Sequence, residues 1–212
     1  SALLVRWVRQ LALTSGLAVL FFPISIRFRT NLAAIAFTAI SSRLAQLHGE
    51  ALRAGPDTPV EVWRELMAGL LRRPLPDGRR LLLVLDGADE AADWTPGPDL
   101  FPATPTAGLR VLVSARYQPG DSDARGWVAR LGWQRPGLAW PIDLGPLSAA
   151  GLADVLRQAS VPLELLSARA DIVAELFRLS RGDPLLIQLY VADLMRRGDD
   201  AVQLRPEDLG RR

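Results

Sequence analysis

The chain has 212 residues, 49% of them hydrophobic, which provides for one or two domains with real cores and excludes a largely disordered protein. It has no cysteine, which excludes disulfides and thiolate-bound metals and fits a reducing, cytoplasmic compartment. The net charge is only +2, with acids and arginines interleaved, so we expect no direct contact with nucleic acid.

The first predicted element is an amphipathic helix from about Ser1 to Thr14, because its apolar residues recur at helical spacing. Its opening, Ser1 to Leu4, resembles the start of the helix that follows a Gly-Lys-Ser phosphate-binding loop. All 25 basic residues are arginine, so the lysine motif of that loop is absent. We therefore expect the sequence to begin immediately after a P-loop lysine. An ordinary amphipathic helix at a natural N-terminus is the alternative.

A buried strand is predicted at Leu17 to Ile24. The surrounding residues 11–26 carry no charge, but a helix needs about 20 apolar residues to span a bilayer, and this stretch is shorter. Gly16 and Pro23 also interrupt it. We therefore expect no membrane span. Two amphipathic helices follow, one ending near Leu47 and one near Leu71, and we expect the single histidine, His48, to be a surface residue.

Residues 81–91 are the most informative part of the sequence. Five consecutive aliphatic residues, Leu81 to Leu85, predict a fully buried central strand. Three carboxylates follow, on Asp86, Asp89 and Glu90. Ligands of open α/β sheets bind at the carboxyl ends of the strands, so Asp86 is a candidate for holding Mg²⁺, directly or through water. Asp89 or Glu90 would then position or deprotonate a water molecule.

The C-terminal half predicts further strands and then helices only. A loop at residues 92–108 precedes a strand at Leu109 to Arg116, and a shorter strand is predicted at Leu138 to Leu144. The sequence therefore predicts an α/β domain at residues 1–145, a small helical lid at 146–200 and a tail at 201–212 that leads toward a further region, with the chain polar and frayed from Arg197.

Two more features add candidate residues. Arg116 lies at the tip of its strand, where a fixed guanidinium recognises phosphate well, although a solvent-facing arginine is the simpler interpretation. Gly182-Asp183-Pro184 precedes the last helix, and a plain helix–helix turn is the simpler interpretation there.

In this order and spacing, the motifs resemble the NACHT-type nucleotide-binding domain of the STAND class of P-loop NTPases. Residues 81–91 are similar to its Walker B element, 109–116 to its sensor 1 strand and 181–185 to its Gly-x-Pro motif. The resemblance covers roughly residues 1–197. The P-loop, the first strand and the winged-helix region expected after the lid are missing from the sequence.

The resemblance implies an ATP/ADP switch that hydrolyses slowly, contacts other domains of its own chain and forms homo-oligomers when activated. Asp86 would hold Mg²⁺, with Ser1 as a second ligand, and Glu90, perhaps with Asp89, would activate water. Arg116 would sense the γ-phosphate. Gly182 and Pro184 would lie by the adenine.

The resemblance also implies a three-layer fold with a parallel sheet of strand order 5-1-4-3-2, in which strand one is missing. Strand three, at 81–85, should lie between strands two and four. Strand five, at 138–144, should stand about 9 to 10 Å from strand four.

Three alternatives remain. An AAA+ or origin-recognition-like ATPase usually has Glu directly after the Walker B Asp, where this chain has Gly87. A non-enzymatic interaction scaffold would retain the fold without nucleotide chemistry. A phosphohydrolase with Asp86 as nucleophile would need a second Asp at the position of Ala88.

Overall fold

The computed structural model describes residues 2–52, 55, 57–102, 106–159 and 161–210. The chain divides into two compact units, Ser1–Asp143 and Leu144–Arg212. The first combines a sheet with helices, and the described elements of the second are all helices or 3₁₀ turns.

The first unit is built on three strands, β1 (Leu17–Pro23), β2 (Arg80–Asp86) and β3 (Leu109–Ser114). They pair in the order β1-β2-β3, and both pairings are parallel. This confirms the predicted α/β class and the central place of the 81–85 strand. The register places Asp86 between Pro23 of β1 and Ser114 of β3.

The central strand is buried along its whole aliphatic run, with Leu83, Val84 and Leu85 fully inaccessible. Each such side chain contributes about 1.5–3 kcal/mol relative to an exposed one. The helices of this unit are α1 (Ala2–Leu11), α2 (Ala33–His48), α3 (Val60–Leu71) and α4 (Arg125–Arg130), with a 3₁₀ turn at Ala88–Glu90. Helices α2 and α3 pack on each other and supply Phe37, Ile40 and Met67 to the core.

The loop that follows the acidic turn is part of the core. Trp94, Leu100 and Phe101 are all buried. The Trp94 indole N–H donates to the carbonyl of Asn31, 2.9 Å away, and its ring meets Phe37 edge to face. The loop is thereby fixed to the start of α2.

The prediction of a strand at 138–144 is wrong. These residues form no strand, and the alternating Trp140, Ile142 and Leu144 are each about four-fifths exposed, at 79%, 79% and 81%. Pro141 lies in the middle of the segment and has no N–H to donate to a ladder, so a pairing there would lose a hydrogen bond. Alternation alone did not create a strand. Because strand five is absent, the predicted separation of strands four and five does not apply.

His48 was expected at the surface, and this is also wrong. It is only 7% exposed at the end of α2. Burial, together with the nearby Arg73 guanidinium, lowers the pKa of His48. The imidazole is therefore neutral at pH 7 and belongs to the packing of α2.

The second unit contains α5 (Ala149–Arg157), α6 (Val161–Ser167), α7 (Ala170–Ser180) and α8 (Pro184–Arg197). Its core includes Leu152, Leu156 and Leu176. Two 3₁₀ turns, Gly198–Gln203 and Pro206–Asp208, follow α8 and contribute the buried Ala201, while Leu209 is buried just beyond them. The tail that was expected to be frayed therefore forms two 3₁₀ turns and buries Ala201 and Leu209.

Among the described residues, no helix is both long enough and apolar enough to cross a bilayer.

Candidate functional site

The candidate site begins where β2 ends. Asp86 is the last residue of the central strand and is only 5% exposed. The hydroxyl of Ser114 donates a hydrogen bond of 2.5 Å to its Oδ1. The Asp86 carbonyl accepts the N–H of Ile24 from the neighbouring chain segment at 2.8 Å. A buried carboxylate is costly unless it is hydrogen-bonded, so the bond from Ser114 offsets part of the cost of burying the Asp86 side chain.

Gly87 lets the chain turn sharply after the carboxylate. Its φ is +89°, a region that side-chain-bearing residues rarely adopt. A Cβ added here would lie 2.8 Å from the carbonyl oxygen of Ile24. Both observations require glycine at this position. They also account for the small residue that the sequence places between Asp86 and the two later acids.

Asp89 and Glu90 follow in the 3₁₀ turn, and Arg116 contacts both. The Arg116 Nε donates to Asp89 Oδ2 at 2.8 Å, and its Nη2 donates to Glu90 Oε1 at 3.1 Å. The Arg116 backbone N–H also donates to Asp89 Oδ1 at 3.0 Å. The structure therefore brings together three of the predicted site residues, and both oxygens of Asp89 have a partner.

Glu90 also reaches back to the segment after β1. Its Oε2 accepts the backbone N–H of Ile26 at 3.0 Å. Residues 25–30 form a turn closed by Thr30, whose backbone N–H donates to the carbonyl of Ser25 and whose Oγ1 accepts the N–H of Ser25. This turn exposes Ile26 and Phe28, which are 66% and 68% accessible. Glu90 thus links the β1–α2 turn to the end of β3.

The electrostatic balance of the acidic turn depends on one exposed cation. The Arg116 side chain is 77% exposed, whereas Asp89 and Glu90 are 15% and 27% exposed. Ion pairs with an exposed partner contribute only about 0–1 kcal/mol each, so the two salt bridges of Arg116 add little stability. A multiply charged anion reaching this edge would compete with the acids for the same guanidinium.

The carboxylate of Asp86 is the type of ligand that Mg²⁺ uses. Mg²⁺ prefers oxygen ligands and is usually held by one or two carboxylates together with substrate phosphates. Within the described residues, no three His, Cys, Asp or Glu side chains are grouped to form a metal cage made of protein alone. Asp86 on its own offers carboxylate oxygens, the ligand type that Mg²⁺ prefers.

Three predicted site residues remain to be described. Gly182 and Pro184 belong to the second unit, and Ser1 lies outside the described residues. Gly182 has φ +76° and packs against the carbonyl of Leu147. Asp183 caps α8 by accepting the N–H groups of the next two residues after Pro184, and Pro184 occupies the first turn. These contacts account for the motif as a turn between α7 and α8.

Ser114 is the residue that sequence reasoning missed. It contacts Asp86 across 28 positions of sequence, which no local pattern reveals. The available signal was that a hydroxyl residue ends a strand expected to lie beside the Asp86 strand.

An open groove of about 500 Å³ runs along α3 and contains no candidate site residue. It is lined by Val62, Glu65, Leu66, Gly69, Leu70 and Arg73.

A scan against protein-family models found none that matches this chain, and a search of curated proteins found no match.

Proposed function

We propose that this chain is part of a NACHT-type nucleotide switch of the STAND class, which binds Mg-ATP or Mg-ADP and hydrolyses ATP slowly. One observation carries the proposal. At the carboxyl edge of the buried central strand, Asp86 is followed by a glycine turn and two acids, and the tip of the neighbouring strand brings Arg116 onto those acids. Ligands of open α/β sheets bind at this edge.

Each residue then has a defined role. Asp86 would hold Mg²⁺ through water, and the metal would neutralise charge on the phosphates. Glu90, with Asp89 beside it, would orient the attacking water. Arg116 would exchange its acidic partners for the γ-phosphate, which a guanidinium binds well. By resemblance, Ser1 would be a second Mg²⁺ ligand, and Gly182 and Pro184 would lie by the adenine.

The sheet supports the finer fold proposal as far as it extends. Strands β1, β2 and β3 match positions two, three and four of the order 5-1-4-3-2. The proposal adds that the P-loop strand would pair with β3. It also includes cytoplasmic location, contacts with other domains of the full-length protein and homo-oligomers in the activated state.

The first test uses nucleotide binding. The 212 residues include no lysine and no glycine-rich phosphate loop, which supply most nucleotide affinity in this fold. We therefore expect calorimetry to detect no micromolar binding of Mg-ATP to this chain and to detect it in the full-length protein. Tight binding of Mg-ATP to these 212 residues would contradict the proposal that the phosphate-binding loop lies outside them.

The second test separates the roles of the acids in the full-length protein. Asp86→Ala should abolish Mg²⁺-dependent nucleotide binding, because the metal loses its carboxylate. Glu90→Gln should preserve binding and slow hydrolysis by about 10²–10⁴-fold, the usual contribution of general base catalysis. Unchanged turnover in Glu90→Gln would reject Glu90 as the base and leave Asp89 as the next candidate.

One observation favours a second candidate, a non-enzymatic scaffold. Both oxygens of Glu90 already accept hydrogen bonds, from Ile26 and from Arg116, so the acid has a structural role without any ligand. A scaffold predicts that Glu90→Gln lowers stability and changes no nucleotide-dependent property. The same variant therefore distinguishes the two candidates.

A further inference from the structure

The hydroxyl of Ser114 lies at the centre of the candidate site. It donates to Asp86 Oδ1 at 2.5 Å and accepts the backbone N–H of Gly87 at 3.1 Å. A serine hydroxyl has one hydrogen to donate. Because the Gly87 N–H points at the oxygen, that single hydrogen is left for the carboxylate.

The surroundings keep this geometry fixed. Asp86 and Ser114 are directly paired in the β2–β3 register, so their backbones are held side by side. Gly87 faces the Ile24 carbonyl on its other side, where an added Cβ would lie 2.8 Å from the carbonyl oxygen. The carboxylate of Asp86 is therefore oriented by a hydroxyl on rigid elements.

We propose that Ser114 is the positioning residue for Asp86, setting the carboxylate orientation that Mg²⁺ bound to a phosphate requires. This inference rests on the proposed nucleotide-binding function. Ser114 acts through Asp86 and not by touching the metal or the nucleotide. Hydrogen-bond partners of metal-binding carboxylates typically contribute 10- to 100-fold to metal affinity or activity, so the expected effect is large enough to measure.

Removing the hydroxyl should not unfold the protein. The Gly87 N–H also donates to the backbone carbonyl of Ser114, at 3.0 Å, so Ser114→Ala leaves this amide with a partner. Ser114 is only partly buried, at the end of β3. Ser114→Thr retains the hydroxyl, and Ser114→Val has the same shape as threonine without it.

The experiment measures nucleotide affinity of the full-length protein by calorimetry over a series of Mg²⁺ concentrations, and again with EDTA. We expect Ser114→Ala and Ser114→Val to raise the half-saturating Mg²⁺ concentration by about 10- to 100-fold. Ser114→Thr should stay within about threefold of the natural protein, well below that range. Affinity measured in EDTA should be the same for all four proteins, which a merely structural defect would not allow.

The outcomes separate this inference from the function on which it rests. If Asp86→Ala abolishes the Mg²⁺ dependence while the Ala, Val and Thr variants of Ser114 keep the natural midpoint, Ser114 is not a positioning residue and the proposed function stands. If threonine and valine behave alike, the hydroxyl has no role and the inference is overturned. If the natural protein has no Mg²⁺-dependent nucleotide binding, both proposals are overturned.

Discussion

Replacing Gly87 by alanine isolates the constraint that forms the acidic turn. The residue has φ +89°, and an added Cβ would lie 2.8 Å from the Ile24 carbonyl oxygen. A left-handed backbone costs a side-chain-bearing residue about 1–2 kcal/mol, and overpacking adds about 1–3 kcal/mol. We therefore expect Gly87→Ala to lower the free energy of unfolding of the first unit by about 2–5 kcal/mol, the sum of those two contributions.

Gly78 provides the matched control. Its φ is +74°, and nothing lies within 4 Å of an added Cβ. Gly78→Ala should therefore cost only the backbone contribution of about 1–2 kcal/mol. The difference between the two variants measures the close approach to Ile24 and nothing else.

The assay is urea denaturation followed by tryptophan fluorescence. All six tryptophans lie in the first unit, so fluorescence reports that unit even if the second unfolds separately. Equal losses of stability in Gly87→Ala and Gly78→Ala would refute the argument that the Ile24 carbonyl excludes a side chain at residue 87.

Three further outcomes are expected from the same denaturation assay. Asp93→Ala should cost about 1 kcal/mol, because its carboxylate accepts the first N–H of α2 at 2.8 Å, whereas the exposed Asp57→Ala should change little. Hydrogen bonds from Arg130 hold the pKa of Asp121 below its usual range. This stabilises the fold above the usual Asp pKa of about 4 and is lost as pH falls through the lowered value, so Asp121→Asn should weaken that acid dependence. Ile142→Ser should change the free energy of unfolding by less than about 0.5 kcal/mol, because the side chain is exposed. A loss of several kcal/mol would show that Ile142 is buried and would support the rejected prediction of a strand at 138–144.

The central sheet was predictable from the sequence because burial on both faces leaves a local signature. Five consecutive aliphatic residues, Leu81 to Leu85, are not expected in a strand with one face exposed to solvent. The structure places them in the middle strand, where they are buried. The segment at 138–144 instead alternates large apolar residues with others, and it forms no strand. Alternation specifies which faces side chains occupy, but a strand also needs a neighbouring backbone, and Pro141 removes one of the required donors.

The sequence predicted which residues form the candidate site, but not the hydrogen bonds between them. The sequence indicated that Asp86, Asp89, Glu90 and Arg116 share the carboxyl edge of one sheet, since parallel strands end on the same side. It did not indicate which acid meets which donor. The Glu90–Ile26 bond joins residues 64 positions apart, and such pairings depend on loop conformations that local patterns do not encode.

The bond between Glu90 and the Ile26 amide makes that amide a natural probe. Amides protected by a single hydrogen bond in an exposed turn exchange with solvent by local opening, without unfolding of the core. An anion that took Arg116 from the acids would remove one of the two partners of Glu90 and leave the Ile26 N–H as the other. The isotope exchange rate of one backbone proton, at a turn that exposes Ile26 and Phe28 to solvent, would therefore report whether Arg116 is still paired with the acids.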